Sequence, residues 1–365
     1  MLKKGFLIAM GCILVLSLCV VGCAPKAVQP GEVEPEKVKP FDIIEGSSRE
    51  GSGSYMGVAA KSSMMEKYSD KVRVLPRPYS GGLEASRALE AEEVNCAAAQ
   101  TFDFLNMINE GTGPFEKTPM KRSDETRILA IDGCAYYAFV AKADIADEIK
   151  SWMDIAGHKV WLGAPATLPY TLGFGVMKAL GIYDKIVDQP YGYKTLSDAV
   201  RAGDVEVALI YGLTQSWAPY VTELEARNHL IIIPPTEEEM DMVLKAIPVF
   251  GKITWVYPRE GLVHDPGPKE GLTLTNYAAV TTLSGMIPED IGYEYCRVVY
   301  EHVEEMAKGG ATQFWALVGM SDEEYISVLR IANEGLGLEI HPGLAKYFKE
   351  DRGVDLEAEG IVVKE

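Results

Sequence analysis

Basic charge is what this sequence has least of. Its 35 lysines and arginines stand against 53 aspartates and glutamates, a formal charge of −18. So acidic a surface repels phosphate backbones and anionic bilayers, which argues against nucleic-acid binding and against a helix lying flat on acidic lipid. Any anionic ligand would need local donors. Also missing are the phosphate-cradling GxGxxG and P-loop patterns, the nucleophile elbow GxSxG, the zinc motif HExxH and any CxxC pair. The five histidines, at 158, 229, 264, 302 and 341, show no ligand spacing. No metal or cofactor is expected, and the reading is of a protein that is not an enzyme. The acidic run Glu237 to Glu239 reads as a helix start with its solvated face, and His302 as a structural histidine on a helix.

Cysteine is scarce too, and half of it sits at the N-terminus. Lys3 and Lys4 precede an apolar run from Phe6 to Val21 that stops at Gly22 and Cys23. Charge, short greasy stretch and small residue, in that order, make a secretory signal, too short and wrongly flanked for a spanning helix. The segment VVGC resembles a bacterial lipobox. Residues 1–22 are therefore expected to be a lipoprotein signal peptide and Cys23 to carry the lipid, and losing the two lysines takes the charge from −18 to −20. Residues 23–40 are rich in proline and charge and read as a disordered tether. Cys96, Cys134 and Cys296 remain, allow at most one disulfide, and have apolar neighbours that favour buried thiols.

From Phe41 to Ile233 strand-like and helix-like segments alternate, the pattern of mostly parallel sheets covered by helices. FDIIEGSS, KVRVLP, NCAAAQT, KVWLGAP, VEVALIYG and LIIIPP are the strands; segments such as SYMGVAAKSSMMEKYS, GLEASRALEAEE and WAPYVTELEARN carry helical spacing. After Pro235 come a helix, the strands KITWVYP and TNYAAVTTL, and a mostly helical end. Pro288 to Met306 reads as one helix, and the folded part as ending near Val354, with residues 355–365 an acidic tail.

Four stretches, in order, resemble the TAXI class of solute-binding proteins of TRAP (tripartite ATP-independent periplasmic) transporters. They are GSYM at 53–56, YSGGLEASRAL at 79–89, AAQT followed by NEGTGPFE to Glu116, and HPGLAKYF at 341–348. ADEIKSWMDIAGHKVWLGAP resembles that family's entry into its second domain. The resemblance implies an α/β, type II periplasmic-binding-protein fold: lobe one at 41–140 plus 247–354, lobe two at 141–246, and a ligand cleft between. It implies a monomer, held outside the cytoplasm by its lipid, that captures a small organic acid or amino-acid-like solute, in all expectation a carboxylate, and delivers it to a TRAP-type membrane permease. The alternative is a surface receptor whose closed form is read by a membrane sensor.

The resemblance also places pocket positions. In lobe one they fall on Ser54, Tyr55, Ser80, Gly81, Gln100 and Thr101; in lobe two on Ala166, Thr167, Thr214, Gln215, Ser216 and Trp217. Each stands at a strand end or helix start, where free N–H groups favour carboxylate. The bland reading of the same residues is local: Ser54 and Ser80 as N-caps, Gly81 and Gly82 as a tight turn, Trp217 as packing for the helix after it. Met56, Leu83, Phe102 and the run GAPATLP depart from the family pattern toward apolar side chains, so the solute is expected to carry a larger apolar or aromatic portion.

Overall fold

The computed structural model describes residues 39–165, 167–213 and 215–364. The signal peptide, Cys23, nearly all of the tether, Ala166 and Thr214 lie outside them.

The first wing is built by alternation, as the sequence suggests. Strand β1 (Phe41–Ser47) is followed by α1 (Gly53–Tyr68), β2 (Val72–Pro78), α2 (Gly82–Glu90), β3 (Cys96–Thr101) and α3 (Phe102–Glu110). β1 pairs in parallel with both β2 and β3. The chain then enters β4 (Thr126–Lys142), almost wholly buried along its 17 residues, as expected of a strand covered on both faces. A second wing follows: β5 (Lys159–Trp161), α4 (Leu168–Ala179), β6 (Val187–Asp188), α5 (Tyr193–Ala202), β7 (Val207–Leu213), the short β8 (Ser216–Trp217), α6 (Pro219–Arg227) and β9 (Leu230–Ile233). β5 is parallel to β6 and β7.

Helix α7 (Glu237–Ala246) and β10 (Gly251–Val256) lead back to β11 (Glu270–Leu283). β11 lies between β3 and β4, antiparallel to both, so the main order is β2-β1-β3-β11-β4-β7-β5-β6. The first wing is thus parallel, as are β5, β6 and β7 of the second, while the short β8 and β9 pair antiparallel with β7 and β4, and the two long strands carry the chain out and back. Helices α8 (Glu289–Glu301), α9 (Val303–Lys308) and α10 (Asp322–Arg330), strand β12 (Glu339–Ile340) and α11 (Pro342–Asp351) complete the fold. No described helix is long and apolar enough to cross a membrane.

Four sequence expectations are corrected here. The helix expected from Pro288 to Met306 breaks at His302, whose φ of −116° and ψ of 18° end α8 and start α9. The break lets the His302 ring stack on Tyr68 at 3.6 Å, while Glu305 reaches the Tyr68 hydroxyl at 2.8 Å. Residues 355–364 are no loose tail: Leu356 and Ile361 are buried, and the segment exchanges backbone hydrogen bonds with Ile340. Glu239 is not solvated; it closes a capping box with Thr236 and accepts the N–H groups of Trp152 and Met153, pinning α7 to the second wing. Helix α6 begins at Pro219, so Trp217 belongs to β8. The three described cysteines are free, buried thiols.

Helices α8 and α11 meet backbone to backbone. A Cβ placed on Gly343 would lie 2.4 Å from the Tyr293 nitrogen and 2.7 Å from the Glu289 oxygen. Rigid backbone cannot yield, so Gly343→Ala must part the helices. It is expected to destabilise the protein by about 1–3 kcal/mol in urea unfolding, with unchanged solute binding, because the contact is remote from the cavities described below.

Candidate functional site

Two cavities open where the wings face each other. The first, of about 530 Å³, is lined from the first wing by Ser54, Met56, Ala99 and Thr101, from the long strands by Asp132, Cys134 and Asn276, and from the second wing by Tyr211, Leu213, Ser216 and Trp217. Gln313 closes one side. The second, of about 580 Å³, is lined by Gly81, Leu83, Gln100, Thr101, Phe104, Met107 and Pro114, with Thr167 and Thr171 from the second wing. Ala99 and Thr101 line both, so the cavities meet at the end of β3. Each has the volume of a small-molecule pocket. β1, β3 and β7 all end here, and carboxyl ends of parallel strands are where open α/β sheets hold ligands.

The floor is shaped by a bulge. β3 loses register against β11 between the pairs Ala97–Thr281 and Gln100–Ala279, so Ala98 and Ala99 together oppose Val280. Ala99 has φ of +52°, a left-handed conformation that costs an alanine energy and needs outside support. Asp132 supplies it: its Oδ2 accepts the Ala99 N–H at 2.8 Å. The other oxygen accepts from Lys61 Nζ at 2.9 Å, and Lys61 also donates to Glu45, which accepts the Tyr295 hydroxyl at 3.0 Å. Lys61, Glu45 and Asp132 are all buried. Burial pushes the Glu45 carboxyl up, against the pull of Lys61. Burial alone would depress the Lys61 amine, but Asp132 and Glu45 outweigh it and hold its pKa above the ordinary range. Both facing charges of the ammonium are therefore spoken for, and Asp132 reaches the cavity already paired.

The aromatic wall has a similar logic. Trp217 is buried with its Nε1–H donating to the Pro258 carbonyl at 2.8 Å, its ring edge-on to Trp255 at 4.8 Å and nearly parallel to Tyr257 at 6.4 Å. One side remains for the cavity. Trp217 thus packs on Trp255 and Tyr257 and also lines the cavity.

The structure separates the positions singled out in the sequence. Ser54, Thr101, Ser216 and Trp217 line the first cavity, and Gly81, Gln100, Thr101 and Thr167 the second. Tyr55, Ser80 and Gln215 line neither. Ala166 and Thr214 are among the residues not described. Neither serine is an N-cap: Ser52 caps α1, accepting the Tyr55 N–H, and Gly81 takes the cap position of α2. Gln100 is spent internally, accepting from Ser86 at 2.8 Å and donating to the Ala98 carbonyl at 2.9 Å. Phe102 is fully buried against Tyr277 and does not line either cavity, whereas Met56 and Leu83 do. Asn276, Gln313, Tyr211 and Asp132 were missed. Asp132 gave a faint signal, a lone acid inside the apolar run of β4, whereas Asn276 sits among the threonines of β11 and gave none.

Asn276 is almost wholly buried, and its Nδ2 donates to Asp103 Oδ1 at 2.8 Å. Asp103 also accepts the Phe104 N–H at 2.8 Å. Burial raises the Asp103 pKa, while Asn276 and Thr101 hold it back.

Comparison with known proteins adds the lineage. No functionally curated protein matches. Among solved structures, the periplasmic aliphatic sulphonate binding protein SsuA from Escherichia coli is similar over 85% of this chain and 83% of its own, at 12% identity and a TM-score of 0.41. A TctC solute binding protein from Polaromonas is similar over 82% of this chain and 96% of its own, at 13% identity and a TM-score of 0.48. A lipoprotein of the YaeC family from Enterococcus faecalis is similar over 73% and 97%, at 13% identity and a TM-score of 0.39. The sequence itself matches one family profile from residue 51 to residue 351, spanning every element from α1 to α11. The chain belongs to the NMT1-like family.

Proposed function

We propose that this chain is an extracytoplasmic solute-binding lipoprotein of the type II periplasmic-binding-protein fold. On this reading residues 41–140 plus 247–364 form lobe one and residues 141–246 lobe two, and closure of the lobes traps a small organic acid or amino-acid-like solute. The solute is handed to a membrane permease of TRAP type, with this chain as its TAXI-class receptor, and no bond is made or broken. The observation that carries the reading is the pair of cavities meeting at Thr101, walled by both wings at the ends of β1, β3 and β7.

Native mass spectrometry of protein drawn from its own host tests it. One small molecule per chain, released on denaturation, is the expected result. A chain that carries none, and gains none from a host metabolite extract, contradicts it.

The tether is tested separately. Two or more acyl chains on Cys23 anchor durably where one does not, so Cys23→Ala protein should move from the membrane to the soluble fraction. Membrane retention of that variant would contradict lipid anchoring and leave solute capture untouched.

A further inference from the structure

Where the two cavities meet, the wall is a strained piece of backbone. Ala99 lines both, is only half-buried, and holds a φ of +52° that alanine avoids. Such strain persists only where the surroundings impose it, and it gathers at ligand clamps. Here it is imposed from both sides. Asp132, on the side of the first cavity, accepts the Ala99 N–H at 2.8 Å. Gln100, on the side of the second, donates its Nε2 to the Ala98 carbonyl at 2.9 Å. Each clamp is anchored in turn to a helix of the first wing. Asp132 accepts from Lys61 of α1 at 2.9 Å, and Gln100 Oε1 accepts from the Ser86 hydroxyl of α2 at 2.8 Å.

Both clamps border a cavity, and both are nearly sealed from it. Asp132 is 2% exposed and Gln100 1%, and each of their four polar side-chain atoms has a partner within the protein. A solute could bond to either only by displacing one of those partners, which at Asp132 means the Ala99 N–H or a buried ammonium. Ala99 is the part of this assembly that the cavities see.

We infer that Asp132 and Gln100 are positioning residues: they set solute affinity without touching the solute, by fixing the Ala98–Ala99 bulge as the ridge on which the two cavities meet. This rests on the solute-binding reading and adds to it the side chains that shape the site. Gln100, which the sequence marks as a contact for the solute, meets the bulge instead.

Glycine at position 99 tests the assignment, because glycine takes a left-handed φ without support. Asp132→Asn offers one acceptor to two donors, and the Lys61 ammonium takes it from the Ala99 N–H. Lys61 then faces Glu45 alone, a balanced pair, so the variant is expected to fold. Gln100→Met keeps the length of the side chain and loses its donor. The readout is the solute that the wild type carries from its host, followed by native mass spectrometry as the ratio of occupied to bare chains, with circular dichroism reporting the fold. Each single variant should lose at least tenfold in that ratio, and adding Ala99→Gly should return it to within threefold of the wild type. Ala99→Gly alone should keep its solute and melt no lower than the wild type. A side chain that touched the solute could not be rescued from position 99, so a loss that persists in the double variants overturns the assignment. Wild-type occupancy in the folded single variants overturns it too, as does a lower melting temperature for Ala99→Gly. Where a single variant does not fold, its double variant must fold and hold solute, and one that does not overturns the assignment. All these failures leave solute capture standing. A wild-type chain that carries no solute, and gains none from a host metabolite extract, overturns both.

Discussion

Lys61→Met should cost about 3–5 kcal/mol of stability, the penalty for stranding buried charge. The lysine is completely enclosed and bridges Glu45 and Asp132, which are also enclosed. Methionine fills the volume of the stem and supplies no ammonium, so two carboxylates would face each other in a dry interior. One must then take up a proton on folding. The sign of the pH dependence follows from this. Glu45 already has a folded pKa above its ordinary 4.5, so its ionisation in the folded state opposes stability as the pH rises from the unfolded value through the folded one. Removing the lysine raises it further. The loss in Lys61→Met should therefore be smaller at pH 5 than at pH 8, measured by urea unfolding at both. Lys61 itself, with its pKa raised above 10.5, stabilises fully below that value and loses the contribution only as the pH climbs through the higher one. A triple variant in which Glu45→Gln and Asp132→Asn accompany the methionine should recover much of the loss. A penalty independent of pH would mean that the carboxylates are not what is stranded.

Trp217→Ala should be nearly as damaging, and for two reasons. Removing a buried tryptophan leaves a void that its packed neighbours Trp255 and Tyr257 can only partly fill, at a cost of about 3–5 kcal/mol. It also strips the Pro258 carbonyl of its donor and takes the apolar wall from the first cavity. Solute retention should fall at least tenfold by native mass spectrometry, even at low temperature where the variant is folded. Trp217→Phe keeps the wall and loses the indole N–H, so it should bind solute while melting below the wild type. Wild-type solute occupancy in folded Trp217→Ala would remove this side chain from the site.

The same two residues show what the sequence could and could not reveal. Strands β1, β2 and β3 and the helices between them are legible because apolar periodicity and turn residues punctuate them locally. β4 was readable only from Cys134 onward, since Asp132 and Gly133 look like a break. They are not one, because Lys61, far back in the chain on α1, neutralises the aspartate. No local rule contains that pairing. Trp217 was legible as an aromatic near a strand end, but its membership of β8 depends on β7, whose residues Gly212 and Leu213 pair with it and Ser216.

The candidate site divides along the same line. Strand ends and helix starts marked Thr101, Gly81, Thr167 and Ser216 because the ends of parallel strands are physically distinctive. Within such a turn, however, one residue faces the cavity and its neighbour faces solvent or the protein. Ser54 and Gly81 line a cavity, while Tyr55 and Ser80 do not. Asn276 was harder still, since its significance lies in Asp103 holding its nitrogen, a contact across 173 positions of sequence.

A crystal structure of the protein with the solute it carries from its host tests the central claim most directly. The account predicts the solute in the cavity bounded by Thr101, Asn276 and Trp217, touching both wings. A solute bound elsewhere on the chain, with that cavity empty, would contradict it.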